Sequence, residues 1–231
     1  MLFRASTLSE RKEFYTKEFN LRKSFSFFRN KPRYFAVDFG TETKIMKDKK
    51  RDNKLFYFNA RDAGKRIINY LPEDVYYDRN LHKGKFCMFC LKTKNYFQCK
   101  NFLGQELVFD VDADNIKCTC RKLCEKCIKK SVENAFEIKK RLNYDKIKVV
   151  YSGRGCHVHV FDKEAYRIDV DERKKLGSKF SKYGIDRWVT EGRIRLVRLP
   201  YTLNGVVSRI VTPIEKKEKF YFKNTIPNFL K

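Results

Sequence analysis

The sequence predicts an α+β fold in a single domain spanning residues 1–231. Runs of strong β formers alternate with segments of helical periodicity along the whole chain. Apolar residues make up 42% and aromatics 15%, enough for a packed core although 35% of residues are charged. No internal repeat or low-complexity linker divides the chain, so 231 residues read as one domain rather than two.

LSERKEFYTKEFNLRKSFSFF (8–28) predicts a helix capped by Ser9 that buries Phe14, Phe19 and Leu21. RYFAVDF (33–39) is a strand; Gly40 and the charged KIMKDKKRDNK form a hairpin tip, and LFYFN (55–59) returns as the partner strand. ARDAGKRIINYL (60–71) is a helix stopped by Pro72, after which EDVYYDRN leads into a cysteine-containing loop. ELVFDVD (106–112) is a strand. LCEKCIKKSVENAFEIKKRL (123–142) is the clearest helix, with Ile128, Val132, Ala135, Phe136 and Leu142 near one face and lysine pairs opposite. KIKVVYSG (146–153) and CHVHVFD (156–162) are strands around a glycine-bounded turn. DERKKLGSKFSKYG (171–184) is helical with a break at glycine, RIRLVRL (193–199) is a strand ended by Pro200, and GVVSRIVTPI adds a late strand.

There are 53 Lys and Arg against 28 Asp and Glu, a net charge of +25 spread along the chain rather than held in a tail. A surface of interspersed ion pairs does not need such a surplus. A polyanion partner does, because cations that neutralise phosphates release counterions. No run approaches the roughly 18 apolar residues of a membrane span. MLFRASTLSERKEF lacks the apolar centre of a signal peptide, so the expected location is cytoplasmic. Eight cysteines in that compartment favour metal binding or catalysis over disulfides.

Alternate side chains of a strand share a face, so Asp110 and Asp112 project together while Phe109 and Val111 face the core. Two such carboxylates repel unless a cation lies between them, and hard divalent ions take oxygen ligands of this kind. The plainer alternative is an Asp-rich turn whose side chains cap the backbone. In SGRGCHVHV (152–160) the glycines permit close approach, Arg154 offers a fork for phosphate, and His157 and His159 share a face. Its alternative is a tight turn with incidental histidines. Cys118, Cys120, Cys124 and Cys127 supply four thiolates within ten residues, which suits a structural tetrahedral zinc in an insertion at about 115–130. Disulfides are the alternative, although neighbouring C-x-C pairs strain their geometry. Cys87, Cys90 and Cys99, with His82, leave open a second zinc site, a disulfide or ordinary thiols. Cys156 reads as a small packing residue.

In this order the pieces resemble the catalytic small subunit of archaeal and eukaryotic DNA primases. ELVFDVDAD resembles the family's first motif, a strand ending in a DxD metal site. SGRGCHVHV resembles the second, one residue short between Gly153 and Gly155. GIDRWVTEGRIRLVRLPYTLNG (184–205) resembles the third, in which an Asp precedes a basic, apolar strand and a Pro turn. The cysteines fall where the family carries a zinc knuckle, and RKEFYTKEF, PRYFAV and LPEDVYY resemble its N-terminal segments.

The resemblance implies that Asp110, Asp112 and Asp186 are catalytic carboxylates for Mg²⁺ or Mn²⁺, with Asp114 left out of the set. Ser152, Arg154 and His157 would hold the incoming triphosphate, with Arg195 and Arg198 as further nucleotide contacts. Alternation places Arg193 and Arg195 on one face and Arg198 on the other. Asn204 stands where many relatives have His. The implied fold is a mainly antiparallel sheet of the RNA-recognition-motif (RRM) type with flanking helices and a zinc-knuckle insertion. Only about one helix fits between His159 and Asp186, where the family often inserts a helical subdomain, so the chain reads as a minimal core.

The implied function is template-directed synthesis of short RNA or DNA primers from nucleoside triphosphates, by two-metal-ion nucleotidyl transfer during DNA replication. The implied partners are single-stranded DNA template, primer–template duplex and a primase large subunit, separate or fused. The location would be cytoplasmic for an archaeal type and nuclear for a eukaryotic one. A primase-polymerase of a repair system or plasmid, and a non-catalytic zinc-containing nucleic-acid-binding module, are the alternatives.

Overall fold

Residues 3–40, 55–84, 99–116 and 123–231 are described by a computed structural model. Every strand pairing among them is antiparallel. The single helix expected over 8–28 is two helices, α1 (Leu8–Lys17) and α2 (Leu21–Ser26). Asn20 starts the second by accepting from Lys23 N at 3.1 Å. Thr7, not Ser9, caps α1, because Glu10 completes a reciprocal capping box with Thr7.

β1 (Tyr34–Asp38) and β2 (Leu55–Asn59) pair as the hairpin reading requires, and its tip lies outside the described residues. α3 (Ala63–Tyr70) stops at Leu71, whose φ of 46° turns the chain ahead of Pro72. The stretch read as leading into a loop is β3 (Asp74–Asp78), which buries Val75 and Tyr77. Its polar ends disguise it: Asp74 and Asp78 are buried against Arg198 and Arg195. β3 pairs with β1 and with β10 (Leu196–Arg198), giving a first sheet in the order β10-β3-β1-β2. β4 (Asn80–His82) and β5 (Phe102–Gln105) form a separate hairpin.

The second sheet is built from β6 (Leu107–Asp112), β7 (Ile147–Tyr151), β8 (Gly155–Val160), β9 (Ile185–Asp186) and β13 (Thr212–Ile214). Its order is β13-β7-β8-β6-β9. β11 (Leu203–Asn204) and β12 (Arg209–Ile210) pair as a separate ribbon, and the late strand expected over GVVSRIVTPI (205–214) is two short ones, β12 and β13. α4 (Glu125–Arg141) connects β6 to β7, and α5 (Val170–Phe180) connects β8 to β9. Each helix passes over one intervening strand, a split βαβ arrangement. No helix among the described residues is long and apolar enough to cross a membrane.

The alternation of β6 divides two cores. Leu107, Phe109 and Val111 pack with Ile128, Val132, Ala135 and Ile138 of α4. Val108 joins a different core with Phe14, Phe35, Val75 and Tyr77. Asp110 and Asp112 share the face of Val108. In β8, Cys156 and Val158 pack toward α4, which leaves His157 and His159 on the carboxylate side.

Gly155 makes the closest approach in the sheet: a Cβ there would lie 2.2 Å from the Val111 carbonyl oxygen. At Gly177, where a helix break was expected, α5 runs through, and a Cβ would meet nothing nearer than 3.8 Å. Gly155→Ala is therefore expected to lower stability by about 1–3 kcal/mol. Gly177→Ala should raise it by about 0.5–1 kcal/mol. Urea unfolding midpoints check both; a neutral Gly155→Ala contradicts the close β6–β8 packing.

Candidate active site

Asp110 lies in mid-β6, directly opposite His157 of β8 on one side and Asp186 of β9 on the other. Antiparallel partners of this kind hold their Cβ atoms about 5 Å apart. Asp112 ends the same strand on the same face. The fold thus brings the three expected carboxylates to one strand pair.

Each is held differently. Asp112 Oδ1 accepts from Asp114 N at 3.1 Å and caps the short turn Ala113–Asn115. Asp186 Oδ1 accepts from Trp188 N at 2.8 Å and caps the short helix α6 (Arg187–Thr190). The capping role weighed for the Asp-rich turn is therefore real for Asp112, Asp186 takes the same role, and capping engages one oxygen of each. Among the described residues, no three His, Cys, Asp or Glu groups converge as a ready-formed metal cage.

Asp110 instead faces His157, whose Nε2 is 3.4 Å from Oδ1. Its side chain is 25% exposed. Burial in the cleft, then the charge of Asp112, push its carboxyl up to about 7; Asp186 adds to this and Arg198 opposes it. Burial, with His159, Arg198 and Arg79 nearby, holds His157 well below the usual imidazole range. The histidine is thus neutral beside a carboxyl that ionises reluctantly.

The Ser152–Arg154 turn is fixed from two sides. Buried Ser152 donates its N–H to Gly155 O at 2.9 Å, and its carbonyl accepts from Asn204 Nδ2 at 2.9 Å. Gly153 has φ 101°, and a Cβ there would sit 2.5 Å from Asn204 Nδ2, so only glycine fits. Asn204 is thereby a buried brace for the turn. Arg154 pairs with Asp114, and its carbonyl accepts from Ala113 N at 3.3 Å, which stitches the turn to the end of β6.

Arg195 and Arg198 are both committed to β3. Arg198 grips Asp74 with Nε at 3.1 Å and Nη2 at 3.0 Å, and Arg195 Nη1 lies 3.2 Å from Asp78. Arg195 precedes β10, so strand alternation does not keep it from the side that Arg198 reaches. The charge of Arg198 still acts on Asp110 and His157.

Sequence reasoning missed the support behind these groups. His159 Nδ1 lies 2.8 Å from Glu106 Oε1, and Tyr77 donates its hydroxyl to Glu106 Oε2 at 2.9 Å; all three are buried. Arg79 Nη1 donates to Glu106 O at 2.9 Å, Nε to Ile194 O at 2.9 Å and Nη2 to Val189 O. These partners are distant in sequence, and no local pattern announces them.

Cys124 caps α4 by accepting from Cys127 N at 3.4 Å, and the two sulfurs are 3.3 Å apart. Cys118, Cys120, Cys87 and Cys90 lie outside the described residues, so the two cysteine clusters are only partly in view. Cys156 is a buried packing residue whose thiol burial pushes up to about 12; Ser131 Oγ donates to it at 3.7 Å.

No family model matches the chain. An uncharacterized DNA primase small subunit-like protein of Archaeoglobus fulgidus is 39% identical across 98% of this chain and 91% of its own. DNA primase small subunit PriS of Pyrococcus abyssi is 31% identical across 78% of this chain and 51% of its own; that of Pyrococcus furiosus is 29% identical across 76% and 49%. The chain spans about half the length of these two PriS relatives. The solved polymerase domain of Mycobacterium tuberculosis ligase D, in complex with DNA, aligns with 90% of this chain and 80% of its own at TM-score 0.49 and 10% identity, too distant to carry function. On the near full-length match to the A. fulgidus protein, with Asp110, Asp112 and Asp186 gathered on one strand pair, the chain belongs to the DNA primase small subunit family.

Proposed function

We propose that this chain is a primase-type nucleotidyltransferase that makes short RNA or DNA primers on single-stranded DNA from nucleoside triphosphates. The observation that carries the reading is the register of β6: Asp110 stands opposite Asp186, beside Asp112 and a neutral His157. The order β9-β6-β8-β7 with two crossing helices supports assigning the second sheet to the RRM type.

The donor set fits Mg²⁺ or Mn²⁺. Three carboxylates crowd one face, and the others raise Asp110, a repulsion that a dication relieves. Asp110, Asp112 and Asp186 would hold the ions, which when bound lower the pKa of the primer 3′-hydroxyl and neutralise charge on the leaving pyrophosphate. The protein's own groups bind and orient. The Ser152–Arg154 turn presents backbone and guanidinium to a triphosphate, and Arg154 exchanges Asp114 for a phosphate oxygen. His157 adds an uncharged donor from a buried ring. Arg198, fixed by Asp74, moderates the negative potential at Asp110. The surplus of basic residues would carry template and duplex through their phosphates, with little base preference.

Cys118, Cys120, Cys124 and Cys127 would hold a structural zinc. The described pair suits it: the sulfurs are 3.3 Å apart, against about 3.8 Å for two thiolates on a tetrahedral zinc. A large subunit, separate or fused, a role in replication and a cytoplasmic location complete the reading. A repair or plasmid primase-polymerase is the second reading, favoured by the single helix α5 between β8 and β9.

Labelled product from unprimed single-stranded template with Mn²⁺ tests the proposal. Extension of supplied primers alone moves the assignment to the second reading, and no product with either substrate overturns the enzyme. Asp110→Ala and Asp112→Ala should each cut synthesis by about 100-fold or more while the fold persists by circular dichroism. Near-normal synthesis by either sinks the metal assignment.

Asp110 also predicts a pH signature without divalent ions. Its folded value of about 7 is above the roughly 3.9 of an unfolded chain. The folded state therefore loses stability as pH climbs from about 4 through about 7. Asp110→Asn lacks this loss, so it should gain on the wild type between about pH 5 and about pH 8 in denaturant titrations. A constant difference across that window contradicts the raised carboxyl. Cys124→Ser should lower both the melting temperature and the zinc content, and an unchanged metal content by atomic absorption refutes the knuckle.

A further inference from the structure

The chain's single tryptophan is exposed. Trp188 follows Asp186 by two positions and is 61% exposed at the start of α6. Solitary exposed apolar residues are ordinary, but this one stands in a built frame. Its carbonyl accepts from Arg193 N at 3.0 Å and Ile194 N at 3.4 Å, which closes the 188–194 loop. Buried Arg79 holds the carbonyls of Val189 and Ile194 from beneath. The ring is therefore presented from a fixed backbone.

The charges around it are arranged too. Glu191, with 7% of its side chain exposed, lies 2.9 Å from Arg187 and 3.4 Å from Arg193. One carboxylate serves two guanidiniums, which leaves a positive surplus beside the indole. The two arginine side chains remain 49% and 59% exposed, and the Arg193 guanidinium lies over the ring, 5.8 Å from its centroid. A lone aromatic among held cations does not offer the broad apolar centre of a protein interface. It matches single-stranded nucleic acid, whose bases stack on aromatics while cations take the adjacent phosphates.

We propose that Trp188, flanked by Arg187 and Arg193, is a stacking platform for an unpaired base of the template strand, beside the carboxylate cleft. The inference rests on the nucleic-acid reading above and adds the residue that meets a base. Any base presents a π face, so the platform is indifferent to sequence.

Being the sole tryptophan, Trp188 reports on itself. Short oligothymidylate, added without nucleotides, should quench its emission with the same midpoint as anisotropy of the labelled strand. An abasic strand with equal phosphates should bind more weakly and leave the emission nearly unchanged. Trp188→Ala should weaken oligothymidylate binding about 10-fold, and Trp188→Phe should recover most of it. Equal quenching by both strands, unchanged affinity of Trp188→Ala, or emission that responds to protein concentration but not to DNA overturns the platform; the last outcome would mark a contact with a second copy. Binding is measured apart from catalysis, so base-dependent quenching in a chain that makes no primer sinks the primase reading alone. Primer synthesis without base-dependent quenching sinks the platform alone.

Discussion

Arg79 leaves the end of β3 fully buried and distributes its guanidinium over main-chain oxygens: Glu106 before β6, Val189 in α6 and Ile194 ahead of β10. A buried cation is costly unless its donors are satisfied. Here satisfaction requires two separate segments, at Glu106 and at 189–194, to converge on one group. Burial pulls Arg79 down to about 10, which still leaves it charged at neutral pH. The first sheet, the start of the acidic strand and the loop after Asp186 therefore meet at a single residue. Gln105 reinforces the junction by donating to Gly192 O at 3.1 Å.

The site places acid where a strongly basic chain can use it. Two other buried carboxylates are matched by arginines: Asp74 has Arg198, and Asp78 has Arg195. Asp110 has a histidine too desolvated to be charged, and two carboxylates for company. Such an imbalance costs stability, and the cation proposed above would relieve it. Capping keeps Asp112 and Asp186 ordered meanwhile, so the turn chemistry and the proposed chemistry use the same residues.

Local physics was readable in the sequence, and non-local pairing was not. The apolar stripe of α4, the stop at Pro72 and the shared face of Asp110 and Asp112 follow from periods of 3.6 and 2 and from a missing N–H. Asp186 is different. Its place depends on β9 joining the edge of β6, and only its likeness to a family motif singled it out. β3 escaped because its aspartates look solvent-facing until residues 195–198 arrive to neutralise them. The Tyr77–Glu106–His159 group was hidden for the same reason. Asn204 was visible as a position where relatives differ, but its task of bracing Ser152 was not, because the two lie 52 residues apart.

β9 adds only two residue pairs to the sheet among the described residues, against six between β8 and β6. That edge is held less by its ladder than by its flanks: Ile185 is buried in the core with α4, and buried Arg79 grips the Val189 carbonyl just beyond it. The third carboxylate is thus placed by packing beside the sheet more than by the ladder itself. An ion bridging Asp110 and Asp186, as proposed above, would lend its binding energy to that edge. Loading the proposed site and closing the sheet would then be one linked equilibrium.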